Sequence, residues 1–185
     1  PTDDSREGWG QTVKDMLIIS GTGGGVGTNY SPIRPRGTAI KGTGGEATGA
    51  VSLMEIINQT GEVIKAGGGR RTALMMCLRY DHADIMEFLN AKLDLKRLNN
   101  ANVSVLVDDE FFKEVENDGD IVLKFRDRPI LDVEGNERVI PAKELWNKII
   151  ENSYKSAEPG ILNIGLANRM NNIHYYQPLI ATNPC

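Results

Sequence analysis

Cysteine is nearly absent from these 185 residues: only Cys77 and Cys185 occur, the second as the last residue. Two thiols give no disulfide framework and suit a reducing compartment, so a cytoplasmic placement is expected. Histidine is equally scarce. His82 has no second ligand at i+4, and His174 sits in a polar stretch beside Tyr175 and Tyr176, so no metal site is assigned. Apolar runs are short, the longest at 72–78 and 103–107. Both fall far below the ~20 residues of a membrane span, and no basic segment followed by an apolar one opens the chain, so no membrane partner is expected. Positive charge is in deficit as well, with 21 Lys and Arg against 25 Asp and Glu and a net charge of -4. That balance argues against general binding of polyanions, and no nucleic-acid partner is expected. Internal repeats and a convincing linker are also missing, so the chain reads as one domain or a piece of a larger one.

What is present is core material and glycine. The chain is 40% hydrophobic and 25% charged, too apolar for disorder. Of its 20 glycines, 14 fall between Gly21 and Gly69. Within 21–71 six bases face three acids, a local excess of +3 in an acidic chain. Glycine backbone exposes N–H donors and arginine adds forked charge, which makes phosphate a plausible partner for this half.

Hydrophobic periodicity alternates between helix and strand. Helices are expected from Ser5, as cap, to Ile19, then over 51–65 with Gly61 weakening the end, 84–93, 108–117 with Asp108 as cap, and 141–157. Strands are expected over 73–80, 102–107, 121–125, 160–164 and 179–182, with the polar run 126–138 as a surface loop. The alternation implies an α/β fold with a largely parallel sheet.

Three glycine loops carry the candidate chemistry: GTGGGVG at 21–27, GTGGEATG at 42–49 and GGGRR at 67–71. The first fails the dinucleotide fingerprint, because Val26 stands where the third glycine belongs, and none has the Gly-Lys-[Ser/Thr] of a phosphate-binding P-loop. Each loop read alone is either an ordinary turn needing positive φ or a ligand cradle. Arg70 and Arg71 are either a solvated basic pair or ligand groups where the loop enters the sheet. His82 reads as a hydrogen-bonding residue at a strand-to-helix turn, and Cys77 as a small hydrophobe within an apolar strand. Cys185, after an apolar segment that turns at Asn183-Pro184, is either a frayed terminal thiol or a sulfur displayed at a strand end, where ligand chemistry collects.

The segments DSREGW (4–9), GGGVG (23–27), SPIRPRG (31–37), IKGTGGEATG (40–49), GGGRRTA (67–73), DHADIMEF (81–88), NVSVLV (102–107), EPGIL (158–162) and ATNPC (181–185) occur in one consistent order. Together they resemble the catalytic large subunit of ribonucleotide reductase over nearly the whole chain. Asn-Pro-Cys, DSREGW and SPIRPRG are most similar to the adenosylcobalamin-dependent (class II) branch, although metal-dependent members share parts of the pattern. The resemblance implies the first half of a ten-stranded α/β barrel of parallel strands, with residues 1–185 as a single partial domain and a finger loop carrying a radical cysteine inward.

By that resemblance Cys185 is the thiyl that removes the ribose 3′-hydrogen of a ribonucleoside di- or triphosphate, and Asn183 orients the ribose hydroxyls. Polar side chains offer no easy route to 2′-deoxygenation, whereas S–H and activated ribose C–H bonds are similar in strength, so a cofactor must generate the radical. Gly24 and Gly25 are implied to line the substrate pocket and Arg71 to reach toward the substrate. A deoxynucleoside triphosphate effector is implied at Asp4 (sugar), Arg34 (phosphates) and the loops holding Gly42, Thr43, Gly44, Gly67 and Gly68. Adenosylcobalamin is the implied cofactor, without an identifiable site in this segment, and an external thiol such as thioredoxin the implied reductant. A homodimer through 5–19 and 51–65 is also implied.

The family pattern continues past the cysteine, so the chain as given is expected to be an inactive fragment. Its end at Cys185 is open to three readings: a truncated record, an intein junction or a natural terminus. The alternative function is a noncatalytic nucleotide-binding or dimerisation module that keeps only the effector site.

Overall fold

A computed structural model describes residues 3–42, 44–66, 70–94 and 96–184, with backbone alone for 65, 66, 70 and 71. Ser5 starts the first helix, α1 (Arg6–Gly21), where its hydroxyl accepts from Gly8 N at 2.9 Å. There follow β1 (Val26–Asn29), α2 (Ala50–Val63), β2 (Lys65–Ala66), β3 (Arg70–Arg71), β4 (Leu74–Arg79) and α3 (Ile85–Ala91). The second half comprises β5 (Asn102–Val107), α4 (Asp109–Asn117), β6 (Asp120–Val122), β7 (Lys124–Phe125), β8 (Arg128–Pro129), β9 (Val139–Pro141), α5 (Ala142–Ser156), β10 (Gly160–Asn163) and α6 (Ile164–Met170).

Four strands form one parallel sheet in the order β1-β4-β5-β10. Each crossover carries at least one helix, as parallel neighbours require. Strand alternation then divides the side chains between two faces. Leu74, Met76, Leu78, Val103, Val105 and Val107 turn to the helices and bury with Leu53, Ile57, Phe88, Phe111, Leu145 and Ile149. Met75, Cys77, Leu106 and Leu162 face the other way, against Ile164 and Ala181. Helices thus stack mainly on one side of an open sheet, the arrangement of half a barrel.

The expected α/β class with a parallel sheet is observed, and most helices fall within two residues of their expected bounds. Four expectations change. Residues 26–29, of which 26 and 27 read as part of the 21–27 loop, form β1, because their backbone pairs with 74–77 despite Gly27. The 121–125 strand is two short ladders, β6 with β9 and β7 with β8, and the 126–138 loop is a nested hairpin within them. Residues 164–170, unassigned from sequence, form α6, capped by Asn163. Residues 179–182 form no strand: the Leu179 N–H and carbonyl are taken by the Asn168 side-chain amide (2.7 and 2.9 Å), not by a ladder. Gly61 is also better explained by packing than by weakening, since a Cβ there would lie 2.7 Å from Leu74 Cδ1 and 2.8 Å from Asn100 Nδ2.

One buried acid ties three segments together. Asp84 Oδ1 accepts from Arg36 N at 3.0 Å and Oδ2 from Ala50 N at 2.9 Å, so it caps α2 from a distance where the N-cap residue is Gly49. His82 Nδ1 accepts from Asp84 N at 3.0 Å, and its Nε2–H donates to Ile33 O at 2.8 Å. Loop 31–37 is therefore clamped to the start of α3. Replacing Asp84 with alanine leaves two backbone donors without acceptors and is expected to cost about 2–4 kcal/mol in urea denaturation.

Candidate functional site

Residues 178–184, without helix or strand, run across the sheet face turned away from the helices. Ala181 packs on the Cys77–Leu106–Ile164 cluster. The Thr182 backbone lies beside the Cys77 thiol, and Asn183 Nδ2 donates to Gly25 O at 3.1 Å. Glycine beneath the crossing is a steric requirement. A Cβ on Gly27 would stand 1.8 Å from Thr182 O, and one on Gly25 would stand 2.8 Å from Asn183 Oδ1. At Gly24 the neighbour is instead Ile19 Cγ2, at 2.7 Å, so that glycine serves loop-to-helix packing.

Burial pushes the Cys77 thiol up to about 11 from its ordinary 9.0, with the Thr182 backbone partly offsetting the rise. A raised folded-state value means that the neutral thiol favours folding below about pH 9, and that this contribution is lost as pH climbs to about 11. Stability is expected to fall by about 2–3 kcal/mol across that window. Comparing urea unfolding of the protein with that of Cys77→Ala isolates this loss from the titration of Tyr30, whose value burial also raises.

A second cluster lies beyond the carboxyl end of β1. Arg34 donates through its backbone N and its Nε to the Asp4 carboxylate, the closest contact being 2.9 Å, and Arg126 Nη2 approaches the same carboxylate at 3.7 Å. The Asp4 side chain is only 4% exposed, so its oxygens are already engaged. Beside it is a cavity of about 320 Å³ whose lining includes Asn29, Ser31, Arg79, Lys124, Arg126 and Asp127. Arg79 forks onto Asp81 with two contacts of 2.9 Å, a pairing that holds its guanidinium above the usual range. Loop 37–47 folds back on itself through the Ala39–Glu46 bridge, and Gly42 (φ 97°) and Gly44 (φ 66°) take conformations that favour glycine.

Residues 1–185 match the family described as ribonucleotide reductase, barrel domain. The chain belongs to that family. It is 38% identical over 187 residues to the vitamin B12-dependent ribonucleoside-diphosphate reductase of Thermoplasma acidophilum, covering 100% of this chain and 24% of that protein. The Mycobacterium tuberculosis protein of the same name is 32% identical over 187 residues, covering 100% and 26%. The ribonucleoside-diphosphate reductase large subunit of Danio rerio is 32% identical over 205 residues, covering 99% and 26%. The chain spans about a quarter of the length of these curated relatives.

Within this barrel domain the sequence-predicted residues separate into two groups. Asn183 meets Gly25 at the amino end of β1, while Asp4 and Arg34 meet each other past its carboxyl end. Gly25 and Asn29 are four residues apart, roughly 13 Å along a strand. Gly42 and Gly44 lie on the exposed loop, and Gly24 faces α1. Thr43, Gly67, Gly68 and Cys185 lie outside the described residues, as does the side chain of Arg71, whose backbone is in β3. Sequence reasoning did not single out Lys124 and Arg126, which line the cavity and which no glycine motif marks. Their signal was the Arg126-Asp127 pair between two short runs of extended character. No helix among the described residues is long and apolar enough to cross a membrane, and no group of three or more His, Cys, Asp or Glu among them could hold a metal ion.

Proposed function

We propose that this chain is the N-terminal half of the catalytic barrel of a vitamin B12-dependent ribonucleotide reductase, contributing the radical cysteine Cys185 and the effector-binding loops. The observation that carries the reading is the course of residues 181–183 over Gly25 and Gly27, on the sheet face that a closed barrel turns inward.

At Cys185 the sulfur-centred radical takes the 3′-hydrogen atom of the ribose: an S–H bond forms as the C–H bond breaks, and the unpaired electron moves to C3′. Asn183 orients the ribose hydroxyls for this transfer, and Gly24 and Gly25 leave the nucleotide room beside the backbone. Ribonucleoside diphosphates are the substrates favoured by the names of the relatives. Adenosylcobalamin is the cofactor those names imply. Two cavities among the described residues, of about 320 and 440 Å³, match drug-sized ligands and not a corrin, so neither fits it.

Asp4, Arg34 and the loops holding Gly42–Gly44 and Gly67–Gly68 form the proposed deoxynucleoside triphosphate site, with Arg71 reaching from the second loop toward the substrate. Coupling between loop conformations would select the base. The apolar groove between α1 and α2, edged by Leu17, Ile56 and Val63, is the proposed homodimer face. An external dithiol such as thioredoxin would supply the reducing equivalents. The decisive experiment assays the full-length protein carrying this chain for conversion of a ribonucleoside diphosphate to its deoxy form with adenosylcobalamin and a dithiol. Conversion is expected, and none at any effector concentration overturns the proposal.

A further inference from the structure

The β7–β8 hairpin has a two-residue turn, Arg126-Asp127, between the pairs Lys124↔Pro129 and Phe125↔Arg128. Both turn residues are left-handed, with φ of 51° and 61°. Turns of this type favour Asn-Gly, and glycine occupies neither position here. Two side chains kept at sites where the backbone disfavours them point to work done by the side chains. Their surroundings say what work. The hairpin is anchored by the Lys124 N–H donating to Asp81 O at 2.7 Å, and its tip closes the 320 Å³ cavity at the carboxyl ends of β1 and β4.

Of the cavity's charges, Arg79 and Asp81 neutralise each other. Lys124 and Asp127 form no ion pair or side-chain hydrogen bond among the described residues. Arg126 bridges the cavity and the Asp4–Arg34 pair, reaching the Asp4 carboxylate at 3.7 Å while 61% exposed. The polar backdrop is ordered, since Ser31 Oγ donates to Asn29 Oδ1 at 2.6 Å and accepts from Arg79 N at 2.9 Å.

The geometry points to this hairpin as the polyphosphate arm of the effector site: Arg126 and Lys124 hold the outer phosphates of a nucleoside triphosphate whose sugar lies toward Asp4 and whose inner phosphate lies toward Arg34. The inference rests on the effector reading above and adds two ligand residues to it. Asp127, the acid left facing the cavity, opposes the ligand and tunes its affinity downward.

Titration calorimetry of the full-length protein with dATP and with deoxyadenosine tests it. Arg126→Gly removes the guanidinium while installing a residue free to take positive φ, so the melting temperature should hold or rise as dATP binds about tenfold more weakly. Deoxyadenosine affinity should stay unchanged, and Arg126→Lys should recover most dATP binding. Asp127→Asn, also tolerated at positive φ, should tighten dATP binding several-fold. If the unaltered protein does not bind dATP, the effector reading falls and this inference with it. If it binds dATP and Arg126→Gly leaves the affinity unchanged, or weakens dATP and deoxyadenosine equally, the polyphosphate arm alone is overturned.

Discussion

Cys185→Ser is expected to abolish deoxynucleotide formation in the full-length protein while leaving effector binding intact. A hydroxyl is nearly isosteric with a thiol, so the fold and Asn183 should keep their places. The chemistry changes because an O–H bond is too strong to be made and broken reversibly against a ribose C–H bond. Each ~1.4 kcal/mol added to the barrier costs tenfold in rate, so a deficit of several kcal/mol lowers turnover at least about a thousandfold. The assay is product formation under saturating substrate, with dATP titration on the same sample as the control for folding. Activity of Cys185→Ser within tenfold of the unaltered protein would remove the radical assignment.

Gly27→Ala is expected to cost about a hundredfold in turnover through geometry alone. An added Cβ would stand 1.8 Å from Thr182 O and 2.7 Å from its carbonyl carbon, both far inside van der Waals contact. Backbone at 182 must retreat by more than 1 Å, and it carries Asn183 and Cys185 with it. Misplacement on that scale costs about 10²-fold when a reaction depends on a near-attack geometry. Global stability should change little, because residue 27 buries little of its own surface and the displaced segment has no ladder to lose. A fall in kcat with an unchanged melting temperature supports the crossing as a positioning device. Full activity in Gly27→Ala would show that residues 181–183 run elsewhere in the working enzyme.

These two expectations separate what the motif carries from what the fold carries. Cys185 and Asn183 were legible as a family pattern, and so were Asp4 and Arg34, because the pattern fixes residue types in order along the chain. The contact between Asp4 and Arg34 was not legible, nor was its consequence that the carboxylate is already occupied. Thirty positions separate the two, and no local rule brings them together. DHAD read as a turn with a hydrogen-bonding histidine, which is correct for His82. That Asp84 reaches across to cap α2 and hold Arg36 could be seen only once three separated segments met. Lys124 read as part of a strand over 121–125 and Arg126 as the start of a surface loop over 126–138, since the charged turn lacks the Asn-Gly signal that normally marks a hairpin connection.

By itself the sequence determined the class of fold and the family. Helix caps at Ser5 and Asp108, the apolar periods of α5 and β5, and the order of the nine motif segments are local properties, set by backbone hydrogen bonding and side-chain alternation over a few residues. Tertiary structure alone decided which glycines are structural and which give passage. Gly61 makes room for Leu74, whereas Gly25 and Gly27 make room for residues 182 and 183. The physical reason is that a missing Cβ has no meaning until a second segment is laid against it, and that second segment is chosen by burial of the whole sheet.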